Sequence, residues 1–198
     1  LGFIFTFAGL FPASSNDNSV IRNVPWSTAE VKSSTETWNV YFGLKRVVYE
    51  HNDGTDVTVN GYGFDTFCND DYCKSCDSSG SYVMTCLAFS FFFQIVTIYQ
   101  LYYRGFSHDD ALHKLFGISA EIISFSLLIA GLVDYSQNCH DLLPQKLIDG
   151  INGASYSYGV GFGLMTCVML FRFPVLLFHY LTPVKISRFD MDIELDTI

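Results

Sequence analysis

The chain has 198 residues, of which 49% are hydrophobic and 17% aromatic, and it carries a formal net charge of −9. An acidic chain without a basic patch has nothing with which to neutralise phosphates, so we expect no nucleic-acid partner. The high aromatic content fits tightly packed helices and interfacial belts, and the composition therefore predicts an integral membrane protein.

The first apolar stretch, residues 1–11, is too short to cross a bilayer. At about 1.5 Å per residue it covers only roughly half of a hydrocarbon core. Because the sequence opens on Leu rather than Met, we interpret this stretch as the end of a first transmembrane helix that begins before Leu1.

Residues 12–80 predict an outer loop that contains a small antiparallel sheet and several cysteines. Residues 37–51 are rich in β-branched and aromatic side chains, and the sequence Asn52-Asp53-Gly54 follows, with an alternating DVTVN segment beyond it. A strand, an Asp-Gly turn and an alternating strand are typical of a β-hairpin.

Four cysteines fall on the predicted outer side: Cys68, Cys73, Cys76 and Cys139. An even number in an oxidising space favours two disulfides, and the sequence leaves all three connectivities open. The spacing also resembles that of a plant-type two-iron cluster. The Gly-rich context of such a cluster is missing, so we expect neither a cofactor nor a metal.

Three long apolar stretches predict the second, third and fourth transmembrane helices, at residues 81–103, 115–133 and 156–181. Each is long enough to cross a hydrocarbon core of about 30 Å. They are joined by an inner loop at 104–114 and a second outer loop at 134–155. In the fourth stretch, Gly159 and Gly163 are spaced to share a helix face and to allow close helix packing.

The positively charged residues of the short segments predict the orientation, because cytoplasmic loops carry an excess of Lys and Arg. Arg104 and Lys114 lie in or beside the inner loop, and Lys185 and Arg188 lie in the tail. We therefore expect these segments inside the cell. Both sides carry some cations, and the four cysteines decide the orientation, because disulfides place the two other loops outside the cell or in the lumen of an organelle.

Glu121 and Arg172 are the only formal charges within the predicted second to fourth helices. In antiparallel helices both would lie on the order of 14 Å from the inner boundary. Intramembrane charges tend to face the bundle and to pair, so the sequence predicts an intramembrane ion pair. The alternatives are a proton or ion path, or an Arg172 side chain that extends to the membrane surface while Glu121 is neutral or contacts a partner.

In the inner tail, residues 182–198, the segment 189–196 alternates apolar and acidic residues, a pattern typical of a strand with one wet face. We expect it to bind another subunit or a soluble partner by strand addition. Packing along its own inner loop is the alternative. Its apolar side chains are Phe189, Met191, Ile193 and Leu195.

Two short motifs give the chain a family resemblance. Trp38 followed by Gly43 and Leu44 resembles the Trp and Gly-Leu-Trp signature of the claudin-like tetraspans, although Lys45 stands where a Trp is expected. Residues 158–164 are similar to the start of the fourth helix of amastins. The group also includes claudins, peripheral myelin proteins and calcium-channel gamma subunits. The resemblance implies a membrane all-α four-helix transmembrane bundle with a small extracellular antiparallel β-sheet, placed in the plasma membrane.

Nothing in the sequence indicates an enzyme. It contains no nucleophile with a nearby base, no Gly-rich phosphate loop and no zinc-protease motif. We therefore expect a non-catalytic tetraspan that acts as an accessory or scaffold subunit of a larger membrane assembly or in adhesion, with membrane lipid and other membrane proteins as partners. The alternative is a channel-forming or transport protein, in which the acidic outer surface would concentrate cations.

Overall fold

A computed structural model describes the chain as a β-sheet joined to a set of long helices. The described residues are 17–32, 36–67, 71–106, 111–142 and 154–182. The elements in chain order are α1 (Asn18–Asn23), β1 (Ser27–Lys32), β2 (Thr37–Phe42), β3 (Arg46–Asn52), β4 (Val57–Gly63), α2 (Phe64–Phe67), α3 (Asp71–Phe106), α4 (Ala111–Tyr135) with a π-helical extension (Ser136–His140), β5 (Ala154–Tyr158) and α5 (Val160–Leu181).

Three helices in the described part of the chain, α3, α4 and α5, are long and apolar enough to cross a membrane. The predicted first helix, at residues 1–11, lies outside the described residues. This finding is compatible with the predicted integral membrane protein. It gives three of the four expected spans.

The sheet has five antiparallel strands in the order β4-β3-β2-β1-β5. The predicted small antiparallel sheet is therefore confirmed, with a fifth strand that we did not predict. We had divided β5 between the second outer loop and the fourth helix, but its Ser and Tyr residues alternate with the period of a strand. The strand pairs with β1, with Ser27 opposite Tyr158, and α5 consequently begins at Val160.

The turn between β3 and β4 forms at the predicted Asn-Asp-Gly sequence. Gly54 has a φ of 85°, a backbone conformation that glycine adopts more readily than other residues. The Asp53 carboxylate accepts hydrogen bonds from the backbone N–H groups of Asp56 and Thr55, both at 2.9 Å. These bonds lower the pKa of Asp53 to about 2. Local sequence alone thus accounts for this turn.

Helix α3 begins at Asp71, well before the apolar stretch at 81–103, so the cysteine-rich segment that we placed in the outer loop forms its first turns. Cys73, Cys76 and Val83 are each 1% exposed, and their spacing puts them on one helix face. The polar residues of these turns lie on the other faces. Hydropathy alone therefore marks the helix start too late.

The core is continuous from the sheet into the adjoining ends of the helices. Trp26, at the start of β1, is 2% exposed, and its ring makes edge contacts with Tyr135 of α4 and Phe162 of α5, with centroids 5.1 and 6.2 Å apart. Phe42 and Val47 from the central strands join the same core. The sheet and the bundle are thus one packed unit.

Candidate functional site

The turn between β2 and β3 docks on the first part of α3. Leu44 in this turn is 1% exposed, and Lys45 Nζ donates hydrogen bonds to the Asp77 carbonyl and carboxylate oxygens, at 3.0 and 2.8 Å. Gly80 lies directly beneath the turn, where a Cβ would overlap the Leu44 carbonyl oxygen. Gly43 and Leu44, two of the predicted signature residues, therefore lie at the junction between sheet and helix.

A disulfide between Cys76 and Cys139 joins the start of α3 to the π-helical extension of α4, with Cα atoms 4.5 Å apart. Beside it, Ser75 Oγ donates a hydrogen bond to the Asn138 carbonyl at 2.9 Å. Cys73 is also disulfide-bonded. The remaining candidate, Cys68, lies outside the described residues.

Buried polar groups connect β1, α4 and β5. Ser27 Oγ is 2.9 Å from the Tyr135 hydroxyl and 2.8 Å from His140 Nδ1. The His140 ring stacks on Tyr158 and Tyr156, with centroids 3.4 and 4.4 Å apart. Burial raises the pKa of Tyr156, which keeps its phenol neutral. The sheet is thus held to the helices by hydrogen bonds and stacked rings, and the disulfide joins two helical segments beside it.

Beyond the core, the sheet presents a cluster of stacked rings that we call the aromatic face: Trp38, Tyr49, His51 and Tyr62. Trp38 stacks on His51 with centroids 3.8 Å apart, and Tyr49 stacks on Tyr62 at 5.6 Å. Trp38 is 36% exposed and Tyr62 38%. Tyr62 lies directly opposite the core residue Val47, and opposite residues of antiparallel strands point to the same face of the sheet. The cluster therefore lies on the sheet surface that packs on the helices.

Trp38, the third predicted signature residue, thus lies on the aromatic face, whereas the core tryptophan is Trp26. From the sequence we expected Trp26 to lie where the outer loop returns to the membrane surface, and we did not assign it to the core. Its burial could have been predicted from its position directly before the alternating segment Ser27–Lys32. A large apolar residue at the start of a half-buried strand is expected to pack inward.

The structure brings Glu121 of α4 and Arg172 of α5 together. Arg172 Nη1 donates a hydrogen bond to Glu121 Oε1 at 2.7 Å, and the two side chains are 4% and 1% exposed. Charges buried to this extent require a partner. The geometry is that of the ion pair expected from the sequence.

The charged pair belongs to a longer set of buried or half-buried polar residues, which we call the polar half of the bundle. Ser90 and Ser124 are hydrogen-bonded at 2.7 Å, and His113 Nδ1 is 2.8 Å from Gln100 Oε1. Sequence reasoning missed this set because it counted formal charges only. The members are Ser90, Gln94, Thr97, Gln100 and Arg104 on α3, His113, Glu121 and Ser124 on α4, and Arg172 and His179 on α5.

The structure does not place Gly159 and Gly163 on one helix face. Gly159 precedes α5 in extended backbone, and a Cβ there would overlap the Pro25 carbonyl oxygen. Its lack of a side chain therefore lets the segment that precedes β1, rather than a helix, come close. At Gly163 a Cβ would meet none of the described residues within 4 Å.

The predicted partner-binding residues of the tail, Phe189, Met191, Ile193 and Leu195, lie outside the described residues, so their role stays a prediction. Within the described part of the chain, no group of three or more His, Cys, Asp or Glu residues could hold a metal ion.

Comparison with known proteins assigns the chain to no family. No protein-family model matches it, and no curated protein matches it at a significant level. Its function must therefore be argued from the residues themselves.

Proposed function

We propose that the chain is a non-catalytic membrane protein that acts through protein contacts, as an accessory or scaffold subunit of a larger assembly or in adhesion. The observation that carries this proposal is the aromatic face. Its tryptophan and two tyrosines offer large, rigid contact areas at a low cost in conformational entropy, and these residue types dominate the energetics of protein interfaces.

The way the aromatic face is supported also favours binding. The hydrogen bonds of Ser27 hold the sheet to the helices, and the Cys76–Cys139 disulfide joins the helical segments beneath it. A surface fixed in this way loses little conformational freedom when a partner binds, so more of the contact energy is retained as affinity. A rigid sheet on membrane helices suits a protein that presents one surface to a neighbour.

The proposal includes the fold type and the orientation. Three described spans, together with the apolar stretch at residues 1–11, would give the four helices of a claudin-like tetraspan. The sheet, which contains strands from both predicted outer loops, would lie outside the cell. The disulfide supports this side, because disulfides persist in oxidising compartments.

The test is native purification in mild detergent through a tag placed after residue 198, with subunits identified and counted by mass spectrometry. We expect the wild type to co-purify in fixed stoichiometry with another membrane protein or with copies of itself. Replacing Trp38 and Tyr62 together by Ala should abolish that association. The matched control is Val57→Ala, which is on β4, is 55% exposed and lies on the opposite face of the sheet.

Two results would contradict the proposal. One is a wild-type protein that purifies alone as a monomer. The other is a Trp38→Ala/Tyr62→Ala variant that keeps the same partners in the same ratio as Val57→Ala. A single elution peak and an intact Cys76–Cys139 disulfide would show that each variant is folded.

A further inference from the structure

Three buried side chains of the bundle have hydrogen-bonding atoms that no described residue satisfies. They are Glu121 Oε2, the Nε and Nη2 atoms of Arg172, and both ring nitrogens of His179. Glu121 and Arg172 are 1% and 4% exposed, and His179 is fully buried. An unsatisfied buried polar group costs about 1–3 kcal/mol, and a charged one costs more. Such a group in a stable protein therefore calls for a hydrogen-bond partner.

These three side chains lie close to one another. Arg172 contacts Glu121 directly, and His179 packs against α4 at Gly117, one turn from Glu121. A Cβ at Gly117 would lie only 3.3 Å from His179 Cε1. His179 also lies within electrostatic range of Glu121 and of Arg104 on α3. The unsatisfied atoms thus belong to one polar cluster rather than to separate defects.

The hydrogen-bonding capacity of the unsatisfied atoms determines which kind of molecule can satisfy them. Arg172 can only donate hydrogen bonds, the ionised Glu121 can only accept them, and the two nitrogens of a neutral imidazole do one of each. An anion would satisfy only the donors, and a cation only the acceptors. Water does both and is small enough to fit among buried polar side chains, where it usually makes about three hydrogen bonds.

The residues on the two sides of the cluster along the bundle differ in polarity. Towards the end at which α3 finishes and α4 begins, polar contacts continue through Gln100 and His113 to Lys114, whose Nζ donates a hydrogen bond to the Thr182 carbonyl at 2.8 Å. On the sheet side of Ser124, the buried residues of the helices are mainly apolar, and they include Val83, Leu87, Leu128, Met165 and Val168. The polar contacts near Gln100, His113 and Lys114 therefore mark the end of the bundle from which water would approach the cluster.

We propose that the polar half of the bundle is a water-binding recess that reaches Glu121, Arg172 and His179. It opens at the end of the bundle where Arg104, Lys114 and Thr182 lie, and the apolar residues on the sheet side of Ser124 close it towards the sheet. The recess is separate from the aromatic face, and its existence does not depend on the proposed role in protein contacts.

The first test uses the wild-type protein in detergent or in lipid nanodiscs. In D₂O the Cε1 hydrogen of a histidine ring exchanges slowly for deuterium, and it does so only where water reaches the ring. Mass spectrometry of peptides measures this exchange for each histidine separately. We expect the Cε1 hydrogen of His179 to exchange in the folded protein at a rate comparable with that of His51, a half-buried histidine on the sheet. A His179 that exchanges only after the protein is unfolded would overturn the proposal.

The second test compares two substituted cysteines in a variant that lacks the free Cys86 and Cys167. Ser124 and Leu128 lie one turn apart on α4 and are 0% and 2% exposed, so they differ in environment rather than in burial. In sealed vesicles, a small charged methanethiosulfonate should label Ser124→Cys from the end of the bundle near Lys114 and should leave Leu128→Cys unlabelled. Equal labelling of both cysteines, or of neither, would overturn the proposal.

Discussion

Replacing Arg172 by Gln would leave the Glu121 carboxylate buried without its charged partner. The two side chains are joined at 2.7 Å and are 4% and 1% exposed, and a water molecule beside Glu121 would not supply the positive charge of the guanidinium. Removing one member of a buried pair costs about 3–5 kcal/mol. In a chain of this size each kcal/mol shifts Tm by about 2–4 °C, so we expect Arg172→Gln to lower Tm by about 6–20 °C.

The chain contains its own reporter for this measurement. Cys86 is a free cysteine that is 3% exposed, so a thiol-reactive fluorophore will label it only when the helices separate. The exposed Cys167 must first be changed to Ser to remove the background. Each unfolding curve is then recorded in detergent as fluorescence against temperature.

A double-mutant cycle then tests the physical argument. Glu121→Gln should be destabilising for the same reason as Arg172→Gln, because each leaves one charge unpaired. The double variant has no buried charge left in the pair, so its loss should be smaller than the sum of the two single losses by about 0.5–3 kcal/mol. Strictly additive losses would show that the two residues do not stabilise each other, and the reasoning would fail.

Three further predictions follow from the structure. Replacing Cys76 and Cys139 by Ser removes a disulfide between residues 63 positions apart. The loop entropy gained by the unfolded chain should lower the free energy of unfolding by about 4 kcal/mol, which is measurable as a lower Tm. Gly80→Ala should cost about 1–3 kcal/mol, because its Cβ overlaps the Leu44 carbonyl oxygen and the turn must shift. Hydrogen bonds lower the pKa of Asp53 from 3.8 to about 2, so its stabilising effect is complete above about pH 4 and is lost as pH falls through about 2. Asp53→Ala should lack this acid-dependent step in an acid titration followed by circular dichroism.

Each of these predictions has a matched control. Cys167→Ser removes an exposed, free cysteine and should leave Tm unchanged, so an equal effect of the disulfide variant would contradict the loop-entropy argument. Gly163→Ala adds a Cβ that meets none of the described residues within 4 Å. If it lowers Tm as much as Gly80→Ala does, the clash at Leu44 is not the cause. Asp53→Asn keeps a side-chain acceptor without the charge and should retain the turn at low pH.

Features that depend on local sequence were predictable. The turn at Asp53 and Gly54 needs only a carboxylate that binds the following N–H groups and a glycine with positive φ. The central strands were predictable from their alternating and β-branched residues. The depth and sign of Glu121 and Arg172 pointed to their contact, because a charge within a membrane helix has few alternatives to pairing.

Features that depend on distant parts of the chain were not predictable. The five residues of β5 are too few for their alternation to be distinguished from the long apolar stretch that follows them. They form a strand because they pair with the free edge of β1. The start of α3 was hidden because its buried cysteines are flanked by polar residues. The polar half of the bundle was hidden because Ser, Thr and Gln hardly lower the mean hydropathy of a long apolar helix.

The pairing of β1 with β5 has a consequence for how the protein is made. Thr28 and Ser157 form a hydrogen bond at 2.9 Å although they are separated by 129 residues. At about 5–20 residues per second, a ribosome needs roughly 6–26 s to make the second after the first. During that interval β1 has a free edge, of the kind that pairs readily with other chains. Completion of the sheet must therefore wait until α3 and α4 have been synthesised, and the newly made chain needs protection of β1 until then.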